Sequence, residues 1–442
     1  MVGQPDLGVA YLGFVIDPYL PAHGDPTYHV EHYDLELDYR LGAGRLSGRA
    51  KITAVAEEPL TRFTLDLAPF KVARVLLNGK PTRFVHRGNK LTVYGRLPAK
   101  RPFTVEVRYV GNPEPIRSPH WGELGWDHLT DGVIVASQPV GAPSWFPCND
   151  RPDDKAVYRI AVTAASPYHV VANGSLVDGR VGASATTWVY EQPEPMATYL
   201  ATVQIGRYEV VEHADERVPI RAALPARLAA TFAHDFGRQA DMMIAFERMF
   251  GPYPFAWYTV VVTDDDLDIP IEAQSLSIFG ANHVDGHRGA ENLVAHELAH
   301  QWFGNSVGVE DWRHIWLNEG FATYAEWLWS QASGGPSADG LARTAHTQLA
   351  LLPQDLVVAD PGVGRMFDDR VYQRGALTVH ALRRWLGEAE FFAMLREWTS
   401  ANKYGTVTTD MFLSLAQKHS PRPLDDLFTA WLFKPALPDL PA

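Results

Sequence analysis

The stretch "LVAHELAHQWFGN", residues 293–305, places two histidines four residues apart, with a glutamate directly after the first. Residues four apart on an α-helix lie one turn apart on the same face, so the imidazoles of His296 and His300 can converge on one ion. Glu297 would flank that ion, although its helix position does not let it reach the metal well. The alternative is a helix with two ordinary surface histidines, and a further ligand decides between the two interpretations.

A second stretch, "HIWLNEGFATYAEWLW" (314–329), supplies that ligand. Glu319 follows His300 by nineteen residues, in a segment whose apolar residues have helical spacing. Catalytic zinc takes three protein ligands and keeps a fourth position open for water. We therefore predict that two adjacent helices hold one zinc ion per chain between His296, His300 and Glu319.

Composition limits the class of protein. A chain of 442 residues that is 46% hydrophobic can bury two substantial cores, so we expect two domains. A formal charge of −13 without a basic run argues against nucleic acid or an anionic membrane as a partner. The single cysteine, Cys148, excludes an intrachain disulfide and is compatible with a reducing compartment. The stretch 1–21 has no basic residue ahead of its short apolar run; it predicts neither a signal peptide nor an anchor, and we expect a cytoplasmic protein.

The hydrophobic period changes midway along the chain. In "HYDLELDYRL" (32–41) and "FTVEVRYV" (103–110), apolar and polar residues alternate as in half-buried strands. From about residue 225 the period becomes helical, and most of the remainder keeps it. We therefore predict an antiparallel β-sheet domain over residues 1–212 and a mainly helical domain over residues 213–442, which carries the zinc motif.

The zinc motif resembles that of the gluzincin aminopeptidases of the aminopeptidase N type. His296, Glu297, His300 and Glu319 match the pattern H-E-x-x-H, eighteen residues, E. The stretches "PSWFPCNDRPDDKAVY" (143–158), "PMATYLATVQIGRYE" (195–209) and "FGPYPF" (250–255) also resemble elements of that family, so the resemblance runs from about residue 30 to the C-terminus. It implies an α+β multidomain fold, with a saddle-like antiparallel β-domain followed by a thermolysin-like, mainly helical zinc-peptidase domain.

The last stretch, "DDLFTAWLFKPALPDLPA" (425–442), resembles the end of the family's catalytic domain. Larger members carry a further helical domain that covers the active site. We therefore expect a short form with a more open cleft, unless dimerisation or the loop at 333–340 covers it.

The chemistry follows from the ion. Zinc lowers the pKa of a bound water from 15.7 toward about 7, and Glu297 can take the proton as general base and pass it to the leaving amine. The resemblance assigns Tyr372, in "RVYQRGAL" (370–377), to donate a hydrogen bond to the oxygen of the tetrahedral intermediate. Arg374 replaces the family's usual lysine in that element. Glu326, on the same helix face as Glu319, is either an acceptor for a ligand-histidine N–H or an exposed helix glutamate.

The resemblance also implies a carboxylate that binds the free amine of the substrate. The family uses a G-x-M-E-N strand, and in "DIPIEAQSLSIFG" (268–280) Glu272 takes the position of the glutamate. The glycine, methionine and asparagine are all replaced, and Pro270 removes a backbone donor. Gln138 resembles a glutamine that lines the first specificity pocket. The acidic run at 264–266 is either a solvated loop or an aid to amine binding.

These observations predict a zinc metallo-aminopeptidase that removes N-terminal residues from peptides, with Glu297 as general base. A zinc endopeptidase would share the ligands but lack the amine anchor. An epoxide hydrolase, known from one branch of the resemblance, would have an elongated apolar pocket. A binding module without catalysis is disfavoured, because the three ligands and the base are all present. The sequence leaves the oligomeric state and the preferred N-terminal residue open.

Overall fold

The computed structural model of the protein describes residues 16–215 and 217–441. Within these ranges β-strands dominate the first half and helices the second, in the order that the sequence predicts. None of the helices in these ranges has both the length and the apolar character needed to cross a bilayer. The prediction of neither a signal peptide nor an anchor concerns the N-terminal stretch, of which residues 1–15 lie outside the described part.

The largest sheet of the N-terminal domain has eight strands. The strand Tyr28–Arg40 shows the predicted alternation, with Tyr33 and Leu35 among its buried residues. This strand pairs in parallel with Ala156–Ala165, whereas the other neighbouring strands of this sheet are antiparallel. The strand order is Ser175–Val181, Ala185–Met196, Ala156–Ala165, Tyr28–Arg40, Arg45–Ala56, Pro102–Gly111, Lys71–Leu77 and Lys80–Pro81.

Two smaller sheets also belong to the described part of the N-terminal domain. One has three strands, in the order Leu60–Asp66, Lys90–Leu97 and Phe84–Arg87. The other has five strands, and the loop between two of them carries His120 and Trp121. Its order is His169–Ala172, Val203–Gly206, Gly132–Ala136, Gly122–Leu129 and Ile116–Ser118.

A separate five-stranded sheet opens the second half of the chain. Its first strand, Glu209–Asp215, contains residue 212, so the predicted domain boundary falls inside a strand of this sheet. Its edge strand, Ile271–Ala273, carries Glu272. The order is Glu209–Asp215, Pro219–Leu224, Tyr258–Val262, Leu276–Phe279 and Ile271–Ala273.

Three helices position the zinc motif. We call Glu291–Ala299 the motif helix, Trp316–Ala332 the glutamate helix and Asp369–Leu386 the tyrosine helix. A short two-stranded sheet pairs Gly308–Val309 with Thr406–Val407. Other helices of the described chain are Ala229–Asp235, Gln239–Phe250, Ala338–Leu349, Glu388–Ala401, Thr409–His419 and Asp425–Phe428.

Two glycines let the glutamate and tyrosine helices approach closely. A Cβ on Gly320 would lie 2.8 Å from the Gly375 backbone, and a Cβ on Gly375 would lie 2.9 Å from the Gly320 Cα. Backbone atoms cannot move aside locally, so a side chain at either position would push the helices apart. Gly320 follows Glu319, and Gly375 lies one turn beyond Tyr372. The contact therefore brings Tyr372 next to the predicted zinc ligand.

Candidate metal centre and cleft

The three predicted zinc ligands converge. The ligand atoms of His296, His300 and Glu319 all lie within 4.8 Å of one another, and the three residues are buried. The Nε2 atoms of His296 and His300 lie 3.5 and 3.4 Å from the same oxygen, Oε2 of Glu319. Two imidazole nitrogens and one carboxylate oxygen form a ligand set that suits catalytic zinc.

The other nitrogen of each imidazole has its own acceptor. Nδ1 of His296 lies 2.8 Å from Oε1 of Glu326, and Nδ1 of His300 lies 3.0 Å from the carbonyl oxygen of Phe303. With Nδ1–H donated there, each Nε2 lone pair points to the centre. The second carboxylate oxygen of Glu326 accepts from Nδ2 of Asn292 at 3.0 Å. The contact at His296 favours the acceptor role for Glu326 over that of an exposed helix residue.

The electrostatics of the centre favour a cation. Burial opposes the imidazolium form of His300, but the carboxylates of Glu319 and Glu272 outweigh it and raise the pKa of His300 to about 9. Burial also raises the pKa of Glu319, but the two histidines dominate and lower it to about 2. Carboxylates thus draw positive charge into the centre, so its residues fit a bound zinc ion.

Glu297 has a free carboxylate oxygen. The residue is 4% exposed, and its Oε2 has no hydrogen-bond partner among the described residues. Burial raises its pKa to about 8, although His296 and His300 act in the opposite direction. A buried polar atom is normally paired, so an unpaired one beside a metal centre indicates a group whose partner is water or substrate.

Tyr372 lies beside the ligands. Its ring is nearly parallel to that of His296, with the two ring centroids 6.1 Å apart. Burial first, and then the carboxylates of Glu319 and Glu272, raise the pKa of Tyr372 well above its usual value. The phenol therefore stays protonated and can donate a hydrogen bond.

Arg374, which replaces the family's usual lysine, holds the C-terminal segment. Its buried guanidinium donates to main-chain carbonyl oxygens of the C-terminal segment, at distances of 2.6 to 3.0 Å. These contacts bind the tyrosine helix to the end of the chain. The accepting residues are Ala430, Trp431, Lys434, Pro435 and Ala436.

The residues after the H-E-x-x-H motif hold the edge strand that carries Glu272. The carbonyl oxygen of Ala273 accepts from Nε2 of Gln301 at 3.1 Å and from Nδ2 of Asn305 at 2.9 Å. Carboxylate atoms of Glu272 and Glu297 and a ring nitrogen of His300 lie within 4.8 Å of one another. Glu272 therefore lies beside the zinc ligands, although the rest of its strand has diverged.

A cleft of about 720 Å³ opens over the centre, between the β-domain and the helices. Gln138 lines it from the β-domain side, and its buried Nε2 has no hydrogen-bond partner among the described residues. The cleft contains all seven residues that the sequence predicts for the site. Gln373, beside Tyr372 in the quoted element, also lines it. Further lining residues belong to loops or to the first turn of a helix, where no local pattern predicts them: His120, Trp121, Asn292, Phe367 and Asp369.

The first two residues of the acidic run at 264–266, Asp264 and Asp265, do not line this cleft. Asp264 and Asp265 line another depression together with Arg227. Nε of Arg227 donates to Asp264 at 2.7 Å, and Asp265 accepts from the main-chain N–H of Thr130. Both carboxylates are thus engaged away from the cleft, so the idea that they aid amine binding is not supported.

The β-domain also holds the loop that follows His300. Nζ of Lys155, a residue that is 7% exposed, donates to the carbonyl oxygens of Asn305 at 3.0 Å and Ser306 at 2.9 Å. The hydroxyl of Tyr199 donates to the carbonyl oxygen of Gly304 at 3.2 Å. Burial lowers the pKa of Lys155 to about 7. Side chains of one domain thus fix main-chain groups of the other, close to a zinc ligand.

The geometry and donor set are those of a zinc metallopeptidase, and comparison with known proteins gives the family. The Peptidase M1 N-terminal domain matches residues 29–200, and the Peptidase family M1 domain matches residues 235–431. The chain belongs to peptidase family M1. This assignment confirms the resemblance to aminopeptidase N-type gluzincins, and with the ligand set it confirms the predicted zinc cofactor.

Curated relatives are longer than this chain. The chain is 24% identical to Aminopeptidase M1-D of Oryza sativa subsp. japonica, over 92% of this chain and 50% of that protein. It is also 24% identical to Probable aminopeptidase 1 of Saccharolobus solfataricus, over 93% of this chain and 54% of that protein. The chain spans about half the length of these relatives.

Solved structures match over nearly the whole chain. The M1 zinc metallopeptidase from Deinococcus radiodurans is 30% identical, with a TM-score of 0.87 over 96% of this chain and 99% of that chain. A mutant of that enzyme bound to a Tyr-Ser-Ala substrate matches with a TM-score of 0.89 and the same coverage. These matches confirm the predicted fold class.

Proposed function

We propose that the protein is a zinc-dependent aminopeptidase that hydrolyses the N-terminal peptide bond of peptides with a free N-terminus. The observation that carries the proposal is the position of Glu272, whose carboxylate lies within 4.8 Å of the ligating atoms of Glu297 and His300. A carboxylate there can pair with the α-ammonium group of a substrate. That ion pair places the first peptide bond, and no internal one, at the centre.

Each residue of the centre has a separate role in the reaction. When bound by His296, His300 and Glu319, zinc supplies Lewis-acid activation of water and of the scissile carbonyl. Glu297 accepts a proton from the attacking water and delivers it to the leaving amine. Tyr372 donates a hydrogen bond to the carbonyl oxygen as negative charge develops on it.

Relatives favour this activity over its rivals. The curated relatives described above are named aminopeptidases, and mutants described as two-domain M1 zinc metallopeptidases, which are similar to this chain, have been solved with L-arginine and with L-tryptophan. Binding of a single amino acid is compatible with removal of one residue at a time. A zinc endopeptidase or an epoxide hydrolase is not favoured. We further propose a cytoplasmic location, on the single cysteine and the acidic composition.

Aminoacyl chromogenic amides, each with and without an N-terminal acetyl group, test the proposal on zinc-loaded protein. We expect turnover of the free amides and none of the acetylated ones, because acetylation removes the positive charge that Glu272 binds. Internal cleavage of acetylated peptides would favour the endopeptidase. Activity on lipid epoxides without amide hydrolysis would favour the epoxide hydrolase.

A further inference from the structure

The cleft over the metal centre has an excess of negative charge. Within the described chain, its lining residues include several carboxylates but neither a lysine nor an arginine. A zinc ion contributes two positive charges and the α-ammonium of a substrate contributes one, which leaves carboxylates without a counter-charge. The carboxylate residues are Asp268, Glu272, Glu297, Glu319, Glu326 and Asp369.

Asp268 and Asp369 have no part in the proposed reaction. Asp268 is exposed and lies four residues before Glu272, and Asp369 is the first residue of the tyrosine helix, three before Tyr372. Neither forms an ion pair with a lysine or arginine among the described residues. Partial burial raises the pKa of Asp369, a hydrogen bond with Gln373 lowers it, and the carboxylates of Asp368 and Glu326 raise it further. The neighbouring Arg370 pairs with Asp368 and Asp355, so within the described chain no lysine or arginine neutralises the carboxylate of Asp369 directly.

Aromatic rings line the same cleft as Asp369. Phe367 is two residues before it, and its ring contacts that of Trp121 edge to face, with centroids 6.2 Å apart. Aromatic faces and carboxylates together suit a guanidinium group, which stacks on rings and pairs with carboxylates. The unpaired Oε2 of Glu297, nearly fully buried in the same cleft, indicates independently that this space receives a ligand.

We infer that the cleft selects substrates whose first residue is basic, arginine above all, and that Asp268 and Asp369 provide this selectivity. The inference rests on the proposed aminopeptidase function and names its substrate class. Both carboxylates are accessible to solvent, so each contributes a modest attraction that salt weakens. The attraction adds to that of Glu272, which binds the α-ammonium group of every substrate alike.

Arginine and citrulline p-nitroanilides separate charge from shape, because citrulline is a neutral analogue of arginine of nearly the same size. Each carboxylate should favour arginine about two- to fivefold, so we expect kcat/KM of the wild type to favour arginine about four- to twenty-five-fold at low salt. Most of this preference should be lost at about 0.5 M salt. Replacing both carboxylates (Asp268→Asn with Asp369→Asn) should reduce the ratio to about twofold or less. Citrulline turnover should stay within about twofold of wild type.

Asp410→Asn is the matched control, because Asp410 is also an acidic residue in the first turn of a helix, Thr409–His419, and it does not line the cleft. It should leave the arginine-to-citrulline ratio unchanged. A wild-type ratio near one, or a ratio that survives in the double variant with normal zinc content, would overturn the inference while leaving the aminopeptidase intact. If neither amide is hydrolysed while other free aminoacyl amides are, the inference is wrong and the aminopeptidase stands; if no free aminoacyl amide is hydrolysed, the proposed function itself is wrong and the inference falls with it.

Discussion

Lys155→Met tests whether the β-domain holds the loop that follows the zinc ligand His300. The substitution keeps an apolar stem of similar length but leaves the carbonyl oxygens of Asn305 and Ser306 without their donor. An unpaired buried polar group costs about 1–3 kcal/mol, so two cost about 2–6 kcal/mol. Loss of the buried ammonium offsets part of this, because its own desolvation is no longer required. We expect a net loss of about 2–4 kcal/mol in the free energy of unfolding.

Urea unfolding at pH 6, followed by tryptophan fluorescence, measures this loss. Lys51→Met, at an exposed position of the strand Arg45–Ala56, is the control and should leave the midpoint nearly unchanged. The same loop includes Phe303, whose carbonyl oxygen accepts from His300, so zinc affinity of Lys155→Met should also fall several-fold while that of Lys51→Met does not. A midpoint and a zinc affinity equal to wild type would refute the reasoning.

Three further predictions concern the site and its surroundings. Glu272→Ala should raise KM for free-amine substrates and lower kcat, because the amine loses its buried partner and the scissile bond is no longer held at the centre. An intact preference for free over acetylated substrates would show that another group binds the amine. Tyr372→Phe should raise the activation free energy that sets kcat by about 2–4 kcal/mol and leave the zinc content unchanged. Steady-state kinetics measures this, and an unchanged kcat would exclude Tyr372 as the donor. Burial lowers the pKa of Lys155 to about 7, so above that pH the unfolded state binds more protons than the folded state. Wild type should therefore gain stability relative to Lys155→Met as pH rises from about 7 to about 9. A constant difference between their urea midpoints over this range would contradict this.

The zinc ligands and the order of the domains could be predicted because both depend on local spacing. Histidines four apart on a helix share a face, and alternation in "HYDLELDYRL" gives a strand with one buried side. The sequence leaves the role of Glu326 open, because an i, i+7 position gives the helix face but not the partner across the cleft. The contact with His296 exists only once the motif and glutamate helices pack together.

Other features depend on contacts between distant segments, which no local pattern encodes. The parallel pairing of Tyr28–Arg40 with Ala156–Ala165 joins strands more than a hundred residues apart. The strand Glu209–Asp215 has no regular alternation, because two valines are followed by two polar residues, so its period does not indicate which sheet it joins. Trp121 and Phe367 meet at the cleft from different domains, and neither lies in a recognisable motif.

The most direct test of the account is a single sample of Glu297→Gln, assayed for zinc content and for peptide hydrolysis together. The amide keeps the size of the side chain but removes the base, while His296, His300 and Glu319 are untouched. We predict one zinc per chain and turnover lower than wild type by a factor on the order of 100 or more. Turnover within a few-fold of wild type at full zinc content would contradict the account, because another group would then have to take the proton from water.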